Sequence, residues 1–246
     1  MIDWLRRDSH SSVGGAPEVA LGERRLPIVI VRHPRAKRMV LRLAPDGDAV
    51  RVTLPRWGRT AEAIEFARSR SEWLTRQLDS LPRHTPPVPG GTLSYRGGAL
   101  MVSWSPDASR GPRMSEGTIA IGGPAQHLPG RLERWLRAEA LRLMTADLAH
   151  YCAAAGVAAI PELRLSRARR RWGSCASDGT VRINWRLVMA PDAVRRSVVA
   201  HEVAHLLHFD HGPAFKAALG RIFEHDLPAA DSWLKAHGRT LYAPFG

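Results

Sequence analysis

Apolar residues along the chain recur with a period of two in some stretches and with helical spacing in others. Met39, Leu41 and Leu43, then Val50, Val52 and Leu54, alternate with more polar neighbours, and Asp46-Gly47 between the two runs is a hairpin signal. Arg25 to Leu54 therefore reads as a half-buried antiparallel ribbon. From Thr60 to Asp79 the spacing turns helical, with Ala63, Ala67, Leu74 and Leu78 on one face and Trp73 beside it, so one helix is expected to cover the ribbon. Pro82, Pro86, Pro87, Pro89, Gly90 and Gly91 break both periods and mark a connection. Short strand-like runs follow at Leu93 to Trp104 and Thr118 to Ile121, with no sequence repeat.

Arg131 to Ala155 carries Leu132, Trp135, Leu136, Ala140, Leu143 and Met144 on one face of a long amphipathic helix, and Gly156 suits its stop. A strand is expected at Leu163 to Ala168. Trp172 to Leu187, with Asp178-Gly179 at its middle, reads as a second hairpin. Along it Val181, Ile183, Trp185 and Leu187 point to a core, while Arg182, Asn184 and Arg186 form a face open to a partner. Pro191-Asp192 opens another helix, on which Val199, Val203 and Leu206 make an apolar stripe and His201 and His205 project to nearly the opposite side. The sum is an α+β chain: a mobile leader over 1–20, a β-rich amino-terminal region over 21–128 with one covering helix near 60–79, and a carboxy-terminal region over 129–246 that holds the two histidines.

Composition narrows the classes without choosing a chemistry. A hydrophobic content of 44% and charged content of 24% over 246 residues allow a sizeable core and exclude a disordered chain. The first residues lack the apolar stretch of a secretory signal, and no apolar run approaches the roughly 18 residues of a membrane span. Cys152 and Cys175 are too few for a disulfide framework and form no CxxC pair, so a cytoplasmic location is expected. Of the 36 basic residues only Lys37, Lys216 and Lys235 are lysine, and the net charge is +13. That surplus favours polyanions such as nucleic acid or nucleotides, but it bears on association rather than reaction.

The chemistry enters at His201-Glu202-Val203-Ala204-His205, an HExxH motif. Residues four apart stack about one turn along a helix face, so both imidazoles can reach one zinc ion, with Glu202 beside them to take a proton from polarised water. Chance produces this motif in roughly a few per cent of such chains, so context must decide. His211 follows six residues after His205. It can return to the metal only if the helix ends first, and Asp210 with Gly212-Pro213 supplies that ending. His208 is the competing third ligand, but on a continuing helix it lies about 10 Å along the axis from His201. His211 is the preferred reading. Three neutral protein ligands with an open fourth position is the catalytic zinc pattern. Arg170, Arg171 and Asn184 are candidates to stabilise an oxyanion, whereas Glu224 and His225 form no ligand spacing with the motif.

Arg171-Trp172-Gly173-Ser174-Cys175, Ile183-Asn184-Trp185-Arg186-Leu187, Pro191, and His201 to Phe215 as HEVAHLLHFDHGPAF, in this order, resemble the YgjP-like metallopeptidase family, relatives of the SprT-like and WLM zinc proteases. Weaker likeness extends over roughly Leu26 to Leu234. The resemblance implies a zincin-like core made of a support helix, a small twisted antiparallel-rich sheet and the HExxH active-site helix. It also implies His201, His205 and His211 as ligands of one zinc and Glu202 as catalytic base. Gly212 stands where many relatives have serine. Cys175 belongs to a structural motif in the family and is expected to be inert; Trp172 and Trp185 are expected in the core. The leading expectation is thus a zinc-dependent metallopeptidase acting on protein or peptide. A nucleotide phosphoanhydride hydrolase of the nucleoside triphosphate pyrophosphatase type, drawing on Arg164, Arg167, Arg169 to Arg171, Arg182 and Arg186, is the alternative. A nucleic-acid-associated binding protein is the third.

Overall fold

The computed structural model describes residues 16–44, 47–79, 84–169 and 171–246. Asp46, Arg170, Pro82 and most of the expected leader lie outside these residues. The chain divides into two compact units, Met1–Leu81 and Pro82–Gly246. The reason for this division is packing. Leu93, Val102, Ile119 and Ile121 share one apolar cluster with Leu132 and Leu136 further along the chain. The first unit closes a separate cluster around Val50, Val52, Leu54, Ala63 and Leu74.

In the first unit β1 (Glu18–Leu21), β2 (Arg24–Arg32), β3 (Val40–Leu43) and β4 (Val50–Leu54) form a sheet in the order β1-β2-β4-β3. β3 and β4 pair antiparallel as the alternation predicts, but β2 pairs with β4 in parallel, so the ribbon is a mixed sheet. Residues assigned to the leader contribute β1, where Val19 and Leu21 are buried against the core. The covering helix is two helices, α1 (Thr60–Ser69) and α2 (Ser71–Asp79), broken at Arg70. Ala63, Ala67, Leu74 and Leu78 all face inward, as their spacing requires.

In the second unit β5 (Thr92–Tyr95), β6 (Gly98–Ser105), β7 (Arg113–Ser115) and β8 (Thr118–Gly122) pair in the order β5-β6-β8-β7. The antiparallel, parallel, antiparallel sequence of pairings is that of the first sheet, a repeat of topology that the amino acids do not display. The long helix α3 (Leu128–Ala154) follows and buries Leu132, Leu136, Ala140 and Met144. A small sheet of β9 (Leu163–Ser166), β10 (Gly173–Cys175) and β11 (Val181–Asn184), in the order β10-β11-β9, has β10 at one edge. β9 and β11 are parallel and β10 and β11 antiparallel.

The strand expected to run to Leu187 stops at Asn184, and Trp185–Met189 winds into a 3-10 turn. That turn removes the alternation, so the face expected to lie open to a partner is largely closed: Asn184 and Arg186 are both buried. The Asn184 side chain accepts from the Arg186 N–H and so starts the turn. α4 (Asp192–Leu207), α5 (Pro213–Ile222) and α6 (Leu227–His237) complete the unit.

Candidate metal centre

α4 carries the motif. Pro191 caps its start and Asp192 lies in its first turn, where a carboxylate complements the positive end of the helix. Val199, Ala200, Val203 and Ala204 are buried in the core. The helix ends at His208, whose extended backbone turns the chain away. The Asp210 carboxylate then accepts from the Gly212 N–H at 3.0 Å, an Asx-type turn, and Pro213 opens α5.

This reversal brings His211 back to the histidines of α4. The imidazoles of His201, His205 and His211 each offer a nitrogen, and these atoms lie within 4.8 Å of one another. Nε2 of His201 and Nε2 of His211 are 3.2 Å apart. Two nitrogens on one tetrahedral zinc, each about 2.05 Å from it, would lie ~3.3 Å apart, so the pair fits a shared ion. Phe215 of α5 packs against all three rings, with centroid separations of 4.9, 4.6 and 4.8 Å to His201, His205 and His211. It is buried and seals one side of the triad with hydrocarbon.

His208 serves the site in a way its spacing does not reveal. Its imidazole is not among the three, but its main-chain carbonyl lies 3.1 Å from His205 Nδ1. A carbonyl only accepts, so Nδ1 carries the proton and Nε2 keeps the lone pair a metal needs. Burial, with the neighbouring His205 and His211 charges, holds the His201 imidazole down at about 4, hence neutral near pH 7.

Glu202 is buried, and burial pushes its carboxyl up to about 7 against the opposing pull of Arg171 and of the Cys175 N–H, which donates to it. The carboxylate lies so close to β10 that a Cβ at Gly173 would stand 2.3 Å from Glu202 Oε1. Gly173, quoted in the sequence only as part of the Arg171–Cys175 run, leaves this carboxylate its room. Its signal was a glycine inside a strand, which commonly marks a close approach of other groups to the backbone.

The three oxyanion candidates part company. Arg171 is exposed and its charge reaches Glu202. Asn184 has its amide committed, donating to the Ala168 carbonyl at 2.8 Å and to the Tyr242 hydroxyl at 3.1 Å. Arg170 lies outside the described residues. Three of the seven arginines proposed for phosphate are engaged: Arg164 pairs with Glu162, Arg167 with Glu133, and Arg186 stacks on Trp185 and Tyr242 while donating to the Phe245 and Gly246 carbonyls. Cys175 is half-buried, and burial followed by the Glu202 charge pushes its thiol up, away from the reactive thiolate.

α4 is held from two directions. Arg195 is buried and donates to Asp147 of α3 at 2.7 Å, and it also pairs with Asp192. Arg196 stacks on Tyr151 and pairs with Glu224, which also accepts from the Tyr151 hydroxyl at 2.9 Å. Glu224, set aside as surface by its spacing, thus ties the end of α5 to α3 and α4. On the other side, the turn between β5 and β6 docks on the start of α4. There the Arg96 N–H donates to the Val188 carbonyl at 2.8 Å, and the Arg96 guanidinium forks onto Asp192.

Comparison with known proteins gives the family of the chain. No curated protein matches the chain. Among solved structures, the crystal structure of the metallopeptidase zymogen of Pyrococcus abyssi abylysin is similar over 39% of this chain and 96% of its own, at 16% identity and a TM-score of 0.36, too distant to carry an argument. The model of the YgjP-like metallopeptidase domain matches residues 37–237, a span that takes in the triad, Glu202 and the Gly173 strand. The chain belongs to the YgjP-like metallopeptidase family, and its general activity is that of a metal-dependent peptidase.

Proposed function

We propose that the protein is a zinc-dependent peptidase in which His201, His205 and His211 hold one zinc ion and Glu202 is the general base. The observation that carries this reading is the convergence of three imidazole nitrogens within 4.8 Å, two of them on the helix that also holds a buried glutamate and the third returned by the turn after it. Three neutral nitrogen donors suit zinc and leave its charge uncompensated. When bound, the ion supplies Lewis acidity, polarising a peptide carbonyl and acidifying water. Glu202 takes the proton of the attacking water on a carboxylate oxygen and returns it to the departing amine. Gly173 and the Cys175 N–H fix that carboxylate, the His208 carbonyl fixes the His205 ring, and Phe215 keeps bulk water from one side of the triad. Arg171 is the candidate we retain for the oxyanion. The phosphoanhydride alternative has weaker support, because Arg164 and Arg167 are already paired with acids.

Metal analysis of the purified protein with three variants tests the assignment. His211→Ala is expected to lose zinc and His208→Ala to keep it. Glu202→Gln should keep zinc while peptide hydrolysis falls about 10²- to 10⁴-fold. Zinc retained in His211→Ala but lost in His208→Ala would reverse the third ligand, and undiminished hydrolysis in Glu202→Gln would remove the base. Phosphate release from nucleoside triphosphates in place of peptide cleavage would favour the alternative substrate.

A further inference from the structure

Positive charge in the first unit is concentrated on one stretch of chain. Residues 24–61 contain ten Arg and Lys against two Asp, whereas 62–79 contain three Arg against four acids. No acid occurs between Glu23 and Asp46, or between Asp48 and Glu62. A uniform preference for arginine over lysine does not produce such a local loss of acids.

The topology gathers six of these ten cations at one end and one face of the sheet. In the parallel register Arg32 lies opposite Leu54, and in the antiparallel register Val40 lies opposite Thr53. The end of β2, the end of β4 and the start of β3 therefore share one edge, as do the connections after β2 and β4. The His33 N–H donates to the Leu54 carbonyl at 2.9 Å, and the Arg32 guanidinium donates to the Gly58 carbonyl at 3.3 Å, tying the two connections together. They carry Arg35, Lys37, Arg38 and Arg56, all exposed. On the sheet face away from α1 and α2, Arg42 and Arg51 stand directly opposite each other on neighbouring strands, an arrangement of like charges that costs stability unless an anion compensates it. Among the described residues none of these six has an acidic partner. Beside Arg56, in the turn closed by the Gly58 N–H on the Pro55 carbonyl, Trp57 is 78% exposed.

We infer that this end of the first sheet binds single-stranded nucleic acid, with phosphates on Arg35, Lys37, Arg38 and Arg56 and a base stacked on Trp57. Guanidinium and ammonium groups around a solvent-facing ring match the alternation of charge and flat base along a single strand, whereas a duplex hides its bases from such a ring. A membrane surface would ask for an apolar skirt, and Trp57 stands among cations. The residues of this site belong to the first unit, and the inference does not depend on the reaction assigned to the metal centre.

The test is fluorescence anisotropy of the full chain with a labelled oligothymidylate of about 20 nucleotides, at salt between about 50 and 200 mM. Binding should weaken with salt, and the slope of log affinity against log salt should flatten by about 0.7 for each phosphate contact removed in Arg38→Glu/Arg56→Glu. Trp57→Ala is expected to weaken oligothymidylate binding about tenfold yet leave heparin, which has no bases, unaffected. Arg134→Glu, an exposed arginine of α3, serves as the charge control and should bind as the parent does. Matching melting temperatures establish that the variants are folded. Unchanged binding by either first-unit variant would overturn the inference. So would equal loss with Arg134→Glu, tighter binding to duplex than to single strand, or full competition by phosphatidylserine vesicles.

Discussion

Two sheets of this chain share an order and a pattern of pairings, yet they are put to different uses. The first is closed by its own two helices, and in its β1–β2 turn a Cβ at Gly22 would meet nothing within 4 Å among the described residues. The corresponding turn of the second, between β5 and β6, is pressed on the start of α4, where a Cβ at Gly97 would stand 2.9 Å from Pro191 Cα. The second sheet also joins α3, through the Tyr95 hydroxyl donating to Glu139 at 2.7 Å. A four-stranded unit of this kind is thus a neutral scaffold. What decides its contribution to the site is whether one hairpin turn and one helix are anchored to α4.

Three perturbations probe that difference. The largest effect is expected at Arg195, which anchors α4 to α3. Arg195→Ala leaves Asp147 without its main partner and should cost about 3–5 kcal/mol in urea unfolding, with metal still bound by the folded fraction. A loss below about 1 kcal/mol would shift the anchoring of α4 from α3 to the second sheet. Next come the paired turns. Both glycines have positive φ, +62 at Gly22 and +80 at Gly97, so alanine is strained at each. Gly22→Ala should cost about 1–2 kcal/mol, the strain alone. Gly97→Ala adds the collision with Pro191, is expected to be worse by about 1–3 kcal/mol, and should also lower peptidase activity. Equal losses in the two variants would mean that the hairpins are equivalent after all.

The smallest effect concerns Asp192. Burial raises its carboxyl, but hydrogen bonds and charges from Arg96 and Arg195 outweigh burial and hold it below the usual value. A depressed carboxylate stabilises the fold above its unfolded pKa of about 3.9, and that contribution is lost as pH falls through the lower folded value. Melting temperature should therefore decline below about pH 4, and the decline should be shallower in Asp192→Asn. Superimposable acid limbs for parent and variant would show that Arg96 and Arg195 do not favour the ionised form.

Much of the site was legible because its signals are local. The HExxH spacing, the helix start at Pro191, the stop before His211 and the apolar face of α3 each follow from period and capping within one segment. The rest depends on partners far along the chain. Nothing near β2 announces that it pairs in parallel with β4. The burial of Asn184 and Arg186 needs the 3-10 turn and the Tyr242 segment. The role of Gly173 is visible only once Glu202 lies against it, and His208 contributes through its backbone, which side-chain spacing cannot report. The burial of Arg195 rests on Asp147, 48 residues away in the chain.

The phenyl ring of Phe215, at nearly equal distances from three imidazoles, is also a built-in magnetic probe. Its ring current displaces the carbon-bound proton resonances of all three histidines at once. A rearrangement of the triad is thereby written into one small group of proton signals that need no added label.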